Sequence, residues 1–337
     1  MKARTQWLAL SSIAAIVLAG AITYGAISFV NYQQRQSAPS TVKTITATVR
    51  ASGPRVVFRN TATGQGYGLV ASVPLDNPAA PRVVTDRACD RVYETEQDIA
   101  CLRTNRGVVT TFEAVVTDAS GKQLASWALP GIPSRTRISQ DSRFVASTAF
   151  ITGMSYATVG FSTQTVIKGA DGSDYGHLED FTTLIDGDRL TAIDRNFWGV
   201  TFGADADTFY ATAASGGKTW LVRGDLRART MMSVRENAEC PSLSPDGLHV
   251  AYKKKVSSGP DSRWAIAVLD LATDQETVLS EKHSVDDQVE WLDDTTLLYG
   301  LVNAKVAGDS DVWSIPIDDG SAPVVYIKHA WSPSVVR

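Results

Sequence analysis

The side chains able to do chemistry are few and scattered along the chain. Only 3 cysteines occur in 337 residues. Cys89 and Cys101 are equidistant from a turn around Thr95. They are therefore expected to face one another across two neighbouring strands, near enough for a disulfide, with two buried thiols as the alternative. Asp205 with Asp207, and Asp171 with Asp174, could offer oxygens to calcium. A calcium site takes 6–8 oxygen ligands, however, and neither pair supplies a full loop, so Asx turns are the expected role. His177, His249, His283 and His329 show no zinc spacing. Lys253-Lys-Lys255 reads as a solvated loop entry, and Arg223-Gly-Asp225 as an incidental tripeptide at a strand end. No G-x-S-x-G elbow, P-loop or dinucleotide fingerprint occurs. No catalytic residue, cofactor or metal is expected on these grounds.

Composition narrows the class. The 32 basic and 36 acidic residues leave a net charge of −4, which argues against a protein that coats nucleic acid. An apolar share of 44% with 8 tryptophans argues against disorder. Three cysteines are too few for a disulfide-stapled mini-domain or a cysteine-rich zinc module.

The amino-terminal segment gives an address. Lys2 and Arg4 precede an uncharged stretch, Trp7–Val30. As a helix it would extend about 36 Å, enough to cross a bilayer with some tilt. The basic flank places residues 1–6 in the cytoplasm and the rest of the chain outside. Residues 7–30 thus read as a signal anchor and 31–43 as a short flexible linker. The competing reading is a cleaved signal peptide, with Ala19-Gly20-Ala21 as its A-x-A site.

From residue 44 onward the chain repeats. The clearest unit is Cys240-Pro-Ser-Leu-Ser-Pro-Asp-Gly247, then Leu248–Lys253, Trp264–Leu271 and Glu276–Ser280. In Ser-Pro-Asp-Gly, Pro sets φ, Asp bonds its own backbone and Gly takes positive φ, so a tight turn joins two strands. Apolar triplets follow comparable turns at Val56–Phe58, Ile99–Cys101, Val145–Ser147, Phe209–Ala211, Val250–Tyr252 and Leu297–Tyr299. Their spacing is mostly about 40–48 residues, the length of a four-stranded blade. The interval from Val145 to Phe209 is longer and carries an insertion. Residues 44–337 therefore read as an all-β, six-bladed β-propeller of four-stranded antiparallel blades, preceded by one transmembrane helix. Thr44–Arg50 and Ala330–Val336 both read as strands able to close the ring, and which one does so is left open. In this frame Cys240 lies three blades from Cys89, too far for a bond, and is expected free and buried.

Ser244-Pro-Asp-Gly247, Val250-Ala-Tyr252 and Val268-Leu-Asp270 resemble the repeat of TolB-type propellers. Asn196-Phe-Trp-Gly-Val-Thr-Phe202 and Val285-Asp-Asp-Gln-Val289 carry the same likeness. The whole is similar to membrane-anchored TolB-like propeller proteins of actinobacteria, over roughly residues 50–337. TolB has an α/β domain before its propeller, whereas only a short linker is expected here, so TolB's role in the outer membrane is not carried over. The resemblance implies an extracytoplasmic interaction module. Ala213–Trp220 half-matches the Asp-box of sialidase propellers, but Ala213 and Ser215 replace its Ser and Asp, so it reads as a turn.

Loops joining second to third strands, and one blade to the next, leave a propeller on the same face. Here they are the long ones, at Ile151–Thr163, Asp180–Asn196, Lys253–Arg263 and Asn303–Ser310. Long loops on a rigid frame are the default place for binding. The expected partner surface uses Tyr156, Phe161, Arg189, Asn196, Trp198 and Lys255. The function expected is a membrane-tethered scaffold for an envelope or membrane protein, without catalytic activity. The alternative is a small-molecule or glycan binder, or a hydrolase or lyase built from dispersed residues, at the channel mouth.

Overall fold

The computed structural model describes residues 2–47, 50–151, 162–205, 207–257, 259, 262–318 and 320–337. The turn chemistry read from the sequence recurs locally. Gly247, at φ 73°, donates to the Ser244 carbonyl at 2.9 Å, while Asp246 accepts from Leu248 N at 2.9 Å. Ser139 and Asp141 do the same work in another blade, with their side chains 2.6 Å apart and Phe144 N donating to Ser139 Oγ at 3.0 Å. Such turns return the chain antiparallel, strand by strand.

Six sheets result, one per blade. Blade 2 is Arg91–Glu94, Asp98–Asn105, Thr111–Asp118 and Gln123–Leu129, and blade 3 is Gly131–Ile138, Phe144–Ile151, Thr163–Gly169 and Asp174–His177. Blade 4 is Asn196–Phe202, Thr208–Ser215, Lys218–Asp225 and Thr230–Glu236. Blade 5 is Glu239–Leu243, His249–Lys255, Trp264–Asp270 and Glu276–Val278, and blade 6 is Glu290–Trp291, Thr296–Val302, Ser310–Pro316 and Val324–Ile327. The first strands touch one another in a closed ring around the channel. All six predicted triplets fall in second strands, where both faces are covered by neighbouring blades. Val56, Phe58, Val250, Tyr252, Leu297 and Tyr299 are accordingly all 0% exposed. Burying such a side chain contributes roughly 1.5–3 kcal/mol, which explains why these strands are apolar throughout rather than alternating.

Both ends of the repeat region join blade 1. Ala330–Val336 is its innermost strand, antiparallel to Arg55–Asn60, followed by Leu69–Pro74 and Arg82–Ala88. Thr44–Thr46 adds in parallel to the outer edge, Thr44 opposite Arg82. The predicted insertion lies mostly at the rim. Thr182–Ile185 and Asp188–Arg189 extend the outer edge of blade 4 beyond Thr230–Glu236.

The amino-terminal helix, Lys2–Ser37, is longer than the predicted span, and its stretch Ser12–Val30 is long and apolar enough to cross a membrane. The linker is not a free tether. Gln65 N donates to Ala38 O at 2.8 Å, Thr41 N to Thr63 O at 3.2 Å and Arg82 N to Lys43 O at 3.1 Å. Backbone pairing with the 61–68 loop of blade 1 overrides the flexibility that its Ser, Pro and Thr content implies.

Candidate functional site

First strands enter the ring from the face that carries the blade-to-blade connections, so their opening residues surround the channel mouth there. Four of them slip in register, in blades 1, 3, 4 and 5, and the last two shape the mouth. The ladder slips between Trp198 and Thr201 in blade 4 and between Glu239 and Ser242 in blade 5. Cys240 sits at φ 51°, its N–H donating to Thr212 Oγ1 at 2.7 Å. A Cβ on Gly199, itself at φ 68°, would fall 2.7 Å from Cys240 Cα, so adjacent strands meet here only through glycine. The bulges leave Trp198 and Cys240 beside a cavity of about 490 Å³ that Arg135, Lys253, Trp264 and Asp286 also line.

The charges of this mouth are paired across blades. Lys253, only 5% exposed, places Nζ 2.7 Å from Asp286 Oδ1, 3.8 Å from Glu239 Oε2 and 5.4 Å from the Trp264 ring centre. Burial opposes its charge, but Cys240, Asp286 and Glu239 outweigh that, so the ammonium titrates above the ordinary lysine value. Partial desolvation opposes ionisation of Asp286, and the Lys253 ammonium prevails, holding the carboxyl below the usual range. Arg135 donates to Asp286 O at 2.7 Å, and its buried Nε has no hydrogen-bond partner. Deeper in the channel Arg91 meets Asp287 at 2.9 Å and Arg137 meets Glu290 at 3.2 Å. Burial, then the nearby Arg135, pushes Arg91 down to about 10. Burial pushes Glu290 up, with Arg137 and Arg337 pulling against it. Blades 2 and 3 thus supply arginines, and the segment 286–290 entering blade 6 supplies the acids that face them.

A second cavity, about 700 Å³, adjoins the first at Ser284 and Asp286 and is lined by His283, Lys305, Trp313 and Trp331. Here the buried Glu281 accepts from the Tyr299 hydroxyl and stands 2.7 Å from His283 Nδ1. Four of the 8 tryptophans, Trp198, Trp264, Trp313 and Trp331, therefore border this one basin. At the opposite end of the channel, Tyr93, Arg137, Glu290 and Arg337 line about 250 Å³. The basin brings indole rings and paired charges together, with Arg91 over the Trp331 ring and Lys253 and Lys255 over that of Trp264, a combination suited to a polar ligand with an apolar face or to an inserted side chain.

The described residues among the sequence-predicted partner set do not share one patch. Trp198 lies at the mouth, and Lys255 holds Nζ 5.7 Å from the Trp264 ring centre. Asn196 is buried, its Oδ1 accepting from Thr163 N at 3.0 Å and Thr163 Oγ1 at 2.6 Å, so it ties blade 4 to blade 3. Arg189 lies on the outermost strand of blade 4, away from the channel. Tyr156 and Phe161 lie outside the described residues. Lys253, read as solvated, is buried and paired, because its strand runs on to Lys255 and turns it inward. Sequence reasoning also missed Arg135 and Arg137. Their signal was charge at alternate positions of an innermost strand.

Cys89 and Cys101 are disulfide-bonded with Cα atoms 5.4 Å apart, although Cys101 pairs with Val92 in the ladder. Cys89 precedes the first strand and curls back over Cys101. Cys240 is free and buried. Among the described residues no three His, Cys, Asp or Glu side chains converge as a metal-ligand set.

No family model matches the chain, and no curated protein matches it. Solved structures do. TolB from Acinetobacter baumannii is similar at 15% identity and TM-score 0.55, over 84% of this chain and 66% of that one. A chain of the nidogen/laminin complex is similar at 10% identity and TM-score 0.53, over 84% and 98%. A putative TolB from Agrobacterium tumefaciens aligns at 9% identity and TM-score 0.49, over 84% and 92%. The chain thus spans slightly under two thirds of the first TolB it matches. At these identities the likeness is one of architecture, and by architecture this chain is a six-bladed β-propeller, a fold it shares with TolB from Acinetobacter baumannii.

Proposed function

We propose that the chain is a membrane-tethered propeller, held outside the cytoplasm, that binds an envelope protein at its channel mouth as an interaction module. The observation that carries this reading is the mouth itself. Trp198 and Trp264 are fixed beside ion pairs that are already assembled, on a frame that need not rearrange to bind. Preorganised aromatic and charged groups are what interface hot spots use. The apolar helix supports the tether, and the disulfide supports an oxidising, extracytoplasmic location. A structure similar in fold belongs, by its description, to a nidogen/laminin complex.

Photo-cross-linking from Lys255 in native membranes tests it, with an amino-terminal tag and a second cross-linker at Leu248 on the opposite face. One dominant envelope protein captured from Lys255, absent from Leu248 and lost in Trp264→Ala, is the expected result. An uncaptured but intact chain would sink it. Recovery of the tag without the propeller would show cleavage and remove the tether.

A second reading is favoured by the four tryptophans around the basin. Indole faces stack on the apolar C–H face of a sugar ring, and Lys253, Asp286 and Glu239 are placed to bond its hydroxyls. Quenching of tryptophan fluorescence by oligosaccharides, lost in Trp198→Ala, would favour a glycan binder over a protein scaffold.

A further inference from the structure

The helix joins the propeller on the mouth face, not at its side. Its last turn and the residues after it bond the 61–68 loop, which links the second and third strands of blade 1. Thr61 N in turn donates to His329 O, at the connection into the innermost strand, at 3.0 Å. The join is close. A Cβ on Gly64 would fall 2.5 Å from Pro39 O and 2.7 Å from Ala38 O. Thr61 Oγ1 bonds Asp309 at 3.0 Å and the Tyr67 hydroxyl bonds Gly308 O at 2.9 Å, so the 303–309 loop of blade 6 is tied to the same platform.

On either side of this join, loops end in exposed aliphatic side chains with a basic neighbour and no exposed carboxylate. In blade 2 the loop 106–110 carries Arg106, Val108 and Val109, and the two valines are 108% and 74% exposed. In blade 6 Val302, Lys305 and Val306 are exposed likewise. Between blades 1 and 2 lies a cleft of about 220 Å³ lined by Arg59, Arg103, Arg106, Tyr67 and the Cys89 end of the disulfide. Arg59 and Arg106 have no carboxylate partner among the described residues, and Arg59 Nε is buried without a hydrogen-bond partner. Arg103 is paired with Glu113 at 2.7 Å, and the one acid in the cleft, Asp90, is engaged by Thr104 at 2.7 Å.

We propose that the arc of blades 6, 1 and 2 rests on the bilayer beside the helix, with Val108 and Val109 in the headgroup region and the Arg59–Arg103–Arg106 cleft holding the phosphate of an anionic phospholipid. Three observations converge on this occupant. The helix joins the propeller at blade 1, the middle of this arc. Apolar tips flanked by basic residues are the composition of an interfacial contact. Guanidinium groups left with spare donors are the natural partner of a phosphodiester. Blade 4, opposite blade 1 in the ring, then stands farthest from the lipid, which leaves the blade 3–5 side of the mouth open to a partner.

The inference rests on the tether reading, and the experiment separates the two. Full-length chain carrying Cys240→Ser is reconstituted in nanodiscs of phosphatidylcholine, with or without a quarter phosphatidylglycerol. A bimane label is placed at Val109→Cys, Val306→Cys, Leu248→Cys or Ile22→Cys. Headgroup-nitroxide lipid should quench the labels at 109 and 306 several-fold more than that at 248, and more strongly with phosphatidylglycerol, while acyl-chain-nitroxide lipid, the quencher used for residue 22, should quench the label near the middle of the span Ser12–Val30. Arg59→Gln with Arg106→Gln should cut the phosphatidylglycerol-dependent part about fivefold or more. Free glycerol phosphate at millimolar level should leave the quenching in place. Equal quenching at 109 and 248 overturns the inference while a quenched Ile22 keeps the tether. Quenching at 109 indifferent to phosphatidylglycerol and to the arginines overturns the headgroup site, as does its loss to free glycerol phosphate. An unquenched Ile22 removes the tether and the inference with it.

Discussion

Lys253 Nζ and Asp286 Oδ1 stand 2.7 Å apart, yet the lysine is almost wholly buried while the aspartate side chain is 88% exposed. The pair links blade 5 to the segment entering blade 6 and is asymmetric in what each partner loses. Water can take over for Asp286 but not for Lys253.

The two truncations should therefore differ. Lys253→Met frees a solvated acid and should cost less than about 1 kcal/mol. Asp286→Asn leaves a buried ammonium with only Glu239 near it and should cost roughly 1–3 kcal/mol. Urea unfolding at pH 7 measures both, and equal costs would refute the asymmetry. The folded carboxyl of Asp286 is depressed, so its contribution is present above the ordinary carboxylate pKa and fades as pH falls through the lower folded value. Wild type and Asp286→Asn should accordingly converge at strongly acid pH.

Glu179, in the short helical turn Leu178–Asp180, runs the other way. Desolvation raises its carboxyl to about 7. The native state then holds a proton that the unfolded chain has lost, so stability is highest below the ordinary value and declines as pH rises toward 7. Glu179→Gln should flatten that decline and raise Tm above pH 7 by a few degrees, on the scale of about 2–4 °C per kcal/mol for a domain this large. Calorimetry across pH 4.5–8 decides it. Parallel curves for the two proteins would remove Glu179 from the account.

Gly64→Ala should loosen the join without unfolding the ring. The substitution places a methyl against the Pro39 carbonyl and strains a residue at φ 97°. Limited proteolysis should show faster cutting within 38–43, with Tm of the propeller changed by little. Unchanged cutting would mean that the backbone bonds to Ala38 and Thr41 suffice alone.

Cys89→Ser with Cys101→Ser opens a bridge between residues 12 apart in sequence. Loop-closure entropy puts the loss at about 3 kcal/mol. Blade 2 should become the first region to exchange its amide hydrogens, and uniform exchange across blades would contradict that.

The blades were legible because their information is local. A Ser-Pro-Asp-Gly turn and an apolar triplet such as Val250–Tyr252 announce a strand pair within a dozen residues. The disulfide was legible too, though Val92, not Cys89, stands opposite Cys101 in the ladder. The channel was not legible, because its pairs join distant residues. Arg91 meets Asp287 across 196 positions and Arg137 meets Val289 O across 152. Nothing near Arg91 in sequence distinguishes it from a surface arginine. Lys253 was misread for the same reason, since its burial comes from Trp264 and from the segment entering blade 6. The hairpin at Thr182–Arg189 was detected as extra length, but its place on the outer edge of blade 4 is a tertiary choice.

The innermost strand of blade 1 comes from residues 330–336, and the three strands outside it come from residues 55–88. During synthesis, then, the earliest sheet waits with a bare inner edge until residues 330–336 have followed. A nonsense change a few codons before Ala330 would leave five blades with every strand of their own and still release an open ring, its Arg55–Asn60 edge free to pair with a neighbouring molecule.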